Sequence, residues 1–413
     1  MSQPIQTHTF SNGFRVVLEP MPWLASVSFA LLLPVGATTD PKGQSGSATV
    51  LNDWLYRGAG DLSSQALSNE LDGVGVRRGG GAGKEYMTFS ASLLAESLAP
   101  TLELYAAIVR RPHLDEGEFE GARTLAQQEL ESLQDSPTQQ LFEALSGQYF
   151  ASPHGNSSYG THDGLGAMTP ATLRSGYERR FSPRGAVLSV AGGVSWESVK
   201  AIAEKLFADW QGAGTDLPKV SVHAEGQAHL EQATQQVQIG VAYEAVMPGA
   251  QGWYENALAL GVLNGGMGAR LFSEVREKRG LVYSVAAVSR AIRGFGYTLA
   301  YAGTTTERAD ETLEVLLGEL RRLSEGVSEE ELERARTGLL SKLVMQGESS
   351  GARASALARD IFLLGEPRTV DEIKAALTAL SLDDVNSYLS NRYNPKFTVL
   401  TLGSKPLAKA ALA

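Results

Sequence analysis

The sequence predicts an α+β protein of two duplicated domains, each a mostly antiparallel β-sheet covered by α-helices. Strand-like runs occur in separated groups with long helical stretches between them, and the order of elements in the first half repeats in the second. A stretch at 211–219, rich in glycine, proline and polar residues, separates the halves. We therefore place one domain at 1–213 and the other at 220–413.

The first half begins with strands and continues into helices. Residues 14–18 and 27–33 are rich in β-branched and apolar side chains, which is typical of strands. Apolar residues then follow helical spacing at 45–56 and again within 115–133. A final strand is predicted at 186–191.

The second half repeats this order of strands and helices, although its residues differ from those of the first half. Val237, Ile239 and Val241 alternate with Gln236, Gln238 and Gly240, which predicts a strand at 235–243. Helical spacing follows at 253–263 and 306–323, and a last strand is predicted at 397–402. The repeated order indicates duplication.

Composition narrows the class of protein. The chain has 413 residues, 43% apolar and 20% charged, which suits a globular protein of two or three domains. Its 36 basic against 46 acidic residues give a formal charge of -10, which disfavours a nucleic-acid partner. The chain contains no cysteine, and its sequence shows neither a signal peptide nor an apolar run long enough for a membrane span. We expect a cytoplasmic protein without nucleic-acid or membrane partners.

One long motif carries a family resemblance. Residues 265–283 read Gly-Gly-Met-Gly-Ala-Arg-Leu-Phe-Ser-Glu-Val-Arg-Glu-Lys-Arg-Gly-Leu-Val-Tyr. Gly280 is expected to end a helix here, and a strand is expected from Val282. The motif resembles the small-Arg-Leu-Phe, Arg-Glu, Arg-Gly-Leu-x-Tyr signature of the pitrilysin/insulinase family of zinc peptidases, whose metal motif is H-x-x-E-H. The resemblance covers nearly the whole chain and implies half of a clamshell of the processing-peptidase type.

The zinc motif of that family is substituted in this chain. The segment 46–58 matches the family's G-x-A-H-x-x-E-H context, but Thr49, Asn52 and Asp53 stand at the His, Glu and His positions. Helical spacing puts all three on one face, and Glu129 matches the family's later glutamate ligand. Threonine, amide and single carboxylate groups are poor zinc ligands, so we expect no metal in this chain. A hard-ion site formed by Asp53, Asn52 and Glu129 remains the alternative.

Histidines elsewhere offer no second zinc site. No pair has the three- or four-residue spacing that would face one side of a helix. They are His8, His113, His154, His162, His223 and His229.

Arg276 and Tyr283 are the candidate catalytic residues. The resemblance implies that this pair lies opposite the zinc site across the cavity, contacts the substrate backbone and helps to stabilise the oxyanion. Guanidinium and phenol groups are suitable donors for this purpose. The alternative is an arginine in a surface ion pair with Glu274 or Glu277, and a tyrosine packed in the sheet.

The glycine cluster is the candidate substrate-binding segment. Its spacing excludes a P-loop, because three residues separate Gly79 from Gly83 and Glu85 follows Lys84. The resemblance implies an edge strand of the active-site cavity, along which an extended peptide is added to the sheet. The residues concerned are Gly79, Gly80, Gly81 and Ala82. A mobile hairpin turn is the alternative interpretation.

These observations favour the non-metal-binding subunit of a bacterial, heterodimeric zinc metallopeptidase. A homologous partner would supply H-x-x-E-H and zinc, and this chain would be inactive alone and contribute to endopeptidase activity in the complex. The alternative is a catalytically inactive peptide-binding or structural homodimer. An independent hydrolase lacks support, since the sequence contains no cysteine and no closely spaced pair of histidines.

Overall fold

The computed structural model describes residues 4–410 and 412. The strands are β1 Gln6–Thr9, β2 Arg15–Pro20, β3 Ser26–Leu33, β4 Gly58–Ala59, β5 Leu62–Ser63, β6 Arg77–Ala82, β7 Met87–Leu94, β8 Val187–Gly192, β9 Gly226–Glu231, β10 Gln236–Ala245, β11 Val282–Ile292, β12 Phe295–Thr305 and β13 Thr398–Gly403. The helices are α1 Ser47–Trp54, α2 Ser64–Gly73, α3 Leu98–Arg110, α4 Glu116–Ser132, α5 Pro137–Tyr149, α6 His162–Gly166, α7 Pro170–Arg180, α8 Trp196–Phe207, α9 Trp253–Asn264, α10 Ala309–Arg322, α11 Glu329–Gly347, α12 Ser350–Leu364, α13 Val370–Ala379 and α14 Leu382–Arg392.

The chain divides into two compact units, each made of separate segments. Unit 1 comprises residues 1–132, 156–219 and 346–368. Unit 2 comprises residues 133–155, 220–345 and 369–413. Each unit therefore takes one helical segment from the opposite half of the sequence. The predicted domains at 1–213 and 220–413 are continuous in sequence and stay a prediction. The compact units differ from them because each unit is made of separate segments.

Unit 1 is built on a six-stranded sheet in the order β1-β2-β8-β3-β7-β6. The pairing of β2 with β8 is parallel, and the other pairings are antiparallel. The predicted strands at 14–18, 27–33 and 186–191 correspond to β2, β3 and β8. One face of the sheet packs against helices through a core that includes Phe29, Leu31, Trp54 and Tyr105.

Unit 2 repeats this arrangement with a five-stranded sheet in the order β11-β12-β10-β13-β9. In this sheet the pairing of β9 with β13 is parallel, and the three pairings that follow, up to β11, are antiparallel. Unit 1 has the same succession from β2 to β6, with one parallel pairing followed by three antiparallel ones. The α+β class and the mostly antiparallel sheets are confirmed. The shared order is what a duplicated domain produces.

The helix taken from the opposite half of the sequence covers the second face of each sheet. In unit 1, α12 packs on the sheet through Leu357 and Ile361, which contact the cluster around Ala30 and Val187. In unit 2, α5 packs on β10 and β13, and Leu141 and Leu145 belong to one cluster with strand residues. Because residues on both faces of β3 and β10 are buried, each sheet needs a second helical layer.

The helices within residues 4–410 include none with an apolar stretch of the length that a bilayer crossing requires.

Candidate functional site

Helix α1 carries the substituted zinc-motif positions on one half-buried face. Thr49, Asn52 and Asp53 are half-buried, whereas the opposite face is fully buried. That face consists of Val50, Leu51, Trp54 and Leu55. The two-faced helix expected from the sequence is confirmed.

A buried ion pair fixes the start of α1. Asp40 Oδ2 accepts from the Gly46 amide at 2.7 Å, and Oδ1 accepts from the Ser47 hydroxyl at 2.7 Å and the Ala48 amide at 2.9 Å. Arg180 Nη1 lies 3.1 Å from Oδ1, and both side chains are almost wholly buried. Burial raises the pKa of the Asp40 carboxyl, and Arg180 opposes this. The carboxylate satisfies amides that the first turn of a helix leaves free.

Two of the polar side chains on the outer face of α1, Thr49 and Asp53, are bonded to other groups of unit 1. Thr49 Oγ1 donates to the Ser158 carbonyl at 2.6 Å. Arg57 Nε donates to Asp53 Oδ2 at 2.5 Å, and its Nη1 donates to Glu118 at 3.2 Å. A guanidinium therefore provides the positive charge beside Asp53, where the family resemblance implies a metal.

Helix α4 packs closely on α1 and leaves room for this arginine. The rings of Trp54 and Phe119 meet edge to face at 5.3 Å, and Trp54 Nε1 donates to the Asp115 carbonyl at 3.0 Å. A Cβ at Gly121 would lie 2.5 Å from Arg57 Nη1. Glycine at this position allows the guanidinium to lie against α4.

Glu129 lies on α4 within electrostatic range of Asp53. Partial burial, and then the charge of Asp53, raise the pKa of the Glu129 carboxyl. Leu125 on the same helix is 40% exposed, whereas α4 buries Phe119, Ala122 and Ala126. Glu129 lies after these buried residues in the sequence of α4, and its side chain is exposed.

The donor set does not fit zinc. The side chains of Thr49 and Asp53 already form hydrogen bonds. Neither provides an imidazole nitrogen or a thiolate sulfur, which are the usual ligands in such zinc sites. Among the residues that the structure describes, no group of three or more His, Asp or Glu side chains could hold a metal ion. Asp53 and Glu129 alone also fall short of a hard-ion site, for which six or more oxygen ligands are usual.

The purified chain is therefore expected to bind no stoichiometric zinc. Elemental analysis of chain purified without chelator, with a zinc peptidase that contains H-x-x-E-H prepared in parallel as the positive control, measures this directly. One zinc per chain that withstands dialysis would contradict the account given for Thr49, Asn52 and Asp53.

The glycine cluster forms an edge strand rather than a hairpin turn. β6 pairs with β7 from Arg77 to Ala82 and closes one side of the unit 1 sheet. Gly80 has φ 112° and its backbone approaches β7 so closely that a Cβ would lie 1.9 Å from the Thr88 carbonyl oxygen. Gly79, Gly81 and Ala82 present little side chain along the same strand. Their role in binding peptide stays a prediction.

Arg276 lies between two aromatic rings. It is exposed at the end of a π-helical turn, Phe272–Glu277, which is a feature frequent at functional sites. Its guanidinium carbon lies 5.0 Å from the centre of the Phe272 ring and 5.2 Å from that of Tyr283. Two cation–π contacts hold the plane of the guanidinium without using its N–H donors.

Glu274, the acidic residue two positions before Arg276, forms ion pairs with other cations. Glu274 accepts from Lys278 Nζ at 2.6 Å and from Arg279 Nη1 at 2.8 Å. These bonds hold the pKa of the Glu274 carboxyl below its usual value. Arg276 itself makes no ion pair within the described part of the chain. The alternative of a surface ion pair between Arg276 and Glu274 or Glu277 is therefore wrong.

Tyr283 is placed by a β-bulge. Val282 faces Thr304 and Ser284 faces Gly303, so Tyr283 is the extra residue in β11. Thr304 Oγ1 fixes this point by donating to the Leu281 carbonyl at 2.7 Å. The Tyr283 side chain is 83% exposed, so the alternative of a tyrosine packed in the sheet is wrong.

Arg270, earlier in the same motif, has a structural role. Its Nε and Nη2 donate to the two carboxylate oxygens of Glu331 at 2.6 and 2.8 Å, and Nη2 also donates to the Gly326 carbonyl. Glu331 also accepts from the Ser328 amide at 2.9 Å. This fork ties the motif to the first turn of α11.

Replacing Glu331 with glutamine is expected to destabilise the protein by about 1 to 3 kcal/mol at neutral pH. The bonds to Arg270 lower the pKa of Glu331 from 4.5 to about 2, so their stabilisation is present above pH 4.5 and is lost as the pH falls towards 2. Urea unfolding across this range measures the effect. The control is Glu330→Gln, whose partnered carboxylate is 86% exposed and should matter little. An equal loss at every pH would contradict the role of the Glu331 charge.

Several residues of the site were not predicted from the sequence. Arg57 is four residues after Asp53, and Phe272 is four residues before Arg276, so helical spacing was an available signal for both. The pair Asp40 and Arg180 left no such signal, because its members are 140 residues apart.

Sequence comparisons agree with the resemblance. Residues 15–162 match the family described as Insulinase (Peptidase family M16), and residues 167–339 match the family described as Peptidase M16 inactive domain. A Bacillus subtilis (strain 168) protein named uncharacterized zinc protease YmxG is 27% identical over 92% of this chain and 94% of its own length. An uncharacterized zinc protease of Rickettsia felis is 24% identical over 98% and 99%.

Solved structures share the fold. The peptidase M16 inactive domain from Pseudomonas fluorescens superposes with a TM-score of 0.90 at 21% identity and covers 98% of this chain and 99% of its own. A protease from Helicobacter pylori gives a TM-score of 0.88 at 18% identity, covering 98% and 100%. With matches to both M16 descriptions along most of its length, the chain belongs to the insulinase family, peptidase family M16.

Proposed function

We propose that this chain is the non-metal-binding subunit of a heterodimeric zinc metallopeptidase and supplies Arg276 and Tyr283 to the partner's site. The observation that carries the proposal is the exposed Arg276, which two aromatic rings hold while its N–H donors face no carboxylate among the described residues. A purely structural subunit would have no need for such an arrangement.

The chemistry of the two side chains suits a peptide substrate. A guanidinium offers donors in a planar fork that matches carbonyl oxygens, and a phenol adds a further donor. Donors of this kind stabilise negative charge that develops on a carbonyl oxygen, and the effect grows where water is excluded. Arg276 and Tyr283 would orient the substrate backbone and stabilise that charge.

The edge strand β6 supports the binding of an extended peptide. Its outer backbone groups are free to pair with another strand, and Gly79 to Ala82 carry almost no side chain to obstruct it. Backbone pairing of this kind accepts many sequences, which suits a processing enzyme. We therefore retain Gly79, Gly80, Gly81 and Ala82 as substrate-binding residues.

The partner would carry the metal. Proteins similar to this chain bear the name zinc protease, while Thr49, Asn52 and Asp53 stand at the metal positions here. A homologous chain with H-x-x-E-H is the partner that completes such an enzyme, in the cytoplasm of a bacterium. The isolated chain would then be inactive.

The test is affinity purification of the tagged chain from its native cells, with mass spectrometry of the co-purifying proteins and a peptidase assay of the eluate. A homologue of similar size that contains H-x-x-E-H, together with activity that a chelator removes and zinc restores, is the expected result. Recovery of this chain only with itself, and without activity, would overturn the proposal in favour of an inactive peptide-binding or structural homodimer.

A further inference from the structure

Unit 2 contains a cavity of about 450 Å³ that takes no part in the proposed function. It lies between the end of β10, the first turn of α9 and the segment that follows α14. Its volume is within the range of small-molecule sites. The residues that matter below are Tyr149, Glu244, Asn256, Tyr388, Arg392 and Lys396. Neither Arg276 nor Tyr283 lines it.

A buried amide at this cavity has unused donors. Asn256 is 1% exposed, and its Oδ1 accepts from the Tyr388 hydroxyl at 3.2 Å. No group in the described part of the chain accepts from its Nδ2. A buried donor without a partner costs about 1 to 3 kcal/mol, so such groups in native proteins call for an explanation. An acceptor oxygen of a ligand would remove this cost.

Arg392 supplies a charge to the same cavity. Its Nη2 donates to Gln251 Oε1 at 3.0 Å, and it makes no ion pair within residues 4–410. Arg392 and Tyr388 line the cavity together with Asn256, and Tyr388 is the group that is bonded to Asn256. A cation and an unused amide donor together form a receptor for a carboxylate.

The opposite charge is also present in the cavity. Glu244 lines the cavity together with Tyr149. Lys396 is paired with Glu225 at 3.5 Å. Two cationic and two anionic side chains therefore line the cavity. This balance favours a molecule that carries both charges over a polyanion such as a nucleotide.

We propose that this cavity binds a small zwitterion of the amino-acid or dipeptide class, whose carboxylate is received by Asn256 Nδ2 and Arg392 and whose ammonium group is received by Glu244. The site is independent of the Arg276 and Tyr283 pair. It would give the chain a means of sensing free amino acids or short peptides.

The test is isothermal titration calorimetry of the full chain with glycylglycine. Saturable binding is expected, with affinity about tenfold lower for Arg392→Gln because a charge-assisted contact to the carboxylate is lost. Arg392 is exposed, so this variant should fold normally. The control Lys374→Gln removes the same charge from an exposed position on α13 and should bind as the unaltered chain does.

Two related probes and a second variant complete the design. Glycylglycinamide lacks the carboxylate and N-acetylglycylglycine lacks the ammonium group, so both should bind at least about tenfold more weakly. Asn256→Leu, checked for native circular dichroism, should also weaken glycylglycine binding. Absence of binding by the unaltered chain, or equal affinity for Arg392→Gln or for the amide, would overturn the proposal.

Discussion

Replacing Arg276 with glutamine is expected to lower kcat/KM of the proposed two-chain peptidase, once reconstituted, about a hundredfold, the usual cost of removing one donor to a developing oxyanion. Arg276→Lys should recover little, because an ammonium group cannot reproduce the planar fork that stacks between Phe272 and Tyr283. Tyr283→Phe keeps the ring that contacts Arg276 and loses only the hydroxyl, so we expect a smaller loss of about tenfold.

The matched control for these variants is Arg290→Gln. Arg290 is an exposed arginine of β11, seven residues after Tyr283, and its replacement changes the net charge by the same amount. Kinetics that are the same for Arg276→Gln, Arg290→Gln and the unaltered pair would remove the role assigned to Arg276. A loss confined to assembly of the pair would assign Arg276 to the interface instead.

Replacing Arg180 with methionine is expected to destabilise the protein by about 3 to 5 kcal/mol at neutral pH, because it leaves the Asp40 carboxylate buried without its cation. Asp40 and Arg180 are 2% and 3% exposed, and Asp40 also holds the first amides of α1. Chemical unfolding at several pH values measures the effect.

The pH dependence identifies the cause of this loss. Burial raises the pKa of Asp40 above its ordinary 3.8, so a protonated Asp40 becomes accessible as the pH falls, and the deficit of Arg180→Met should shrink in acid. The double variant Asp40→Asn, Arg180→Met should be less destabilised than Arg180→Met alone. The control Arg184→Met breaks an exposed pair with Asp216 and should change stability by no more than about 0.5 kcal/mol. A deficit independent of pH would show that packing, and not charge, is responsible.

The sequence predicted the strands and helices that have a clear apolar periodicity of their own. Strands β2, β3, β8, β10 and β13, and helices α1, α4, α9 and α10, lie within a few residues of the predicted ranges, because apolar periodicity records which face of an element is buried. The sequence also predicted the end of the helix at Gly280 and the strand from Val282. In the structure Gly280 has φ 61° and β11 begins at Val282.

The parts that were not predicted depend on long-range contacts. Nothing in the local pattern of α5 or α12 indicates that each packs on the sheet built by the opposite half of the sequence. The stacking of Phe272 on Arg276 depends on a π-helical turn, which sequence periodicity does not distinguish from an α-helix. Helix α4 buries the small Ala122 and Ala126 and leaves Leu125 exposed, although leucine is the more apolar residue.

The most direct test of the two-chain account is a titration of the purified H-x-x-E-H homologue with this chain, with cleavage of a fluorogenic peptide as the readout. The account predicts negligible turnover by either chain alone and a rise that saturates at one copy of this chain per homologue. Full activity of the homologue alone, unchanged by any amount of this chain, would contradict it.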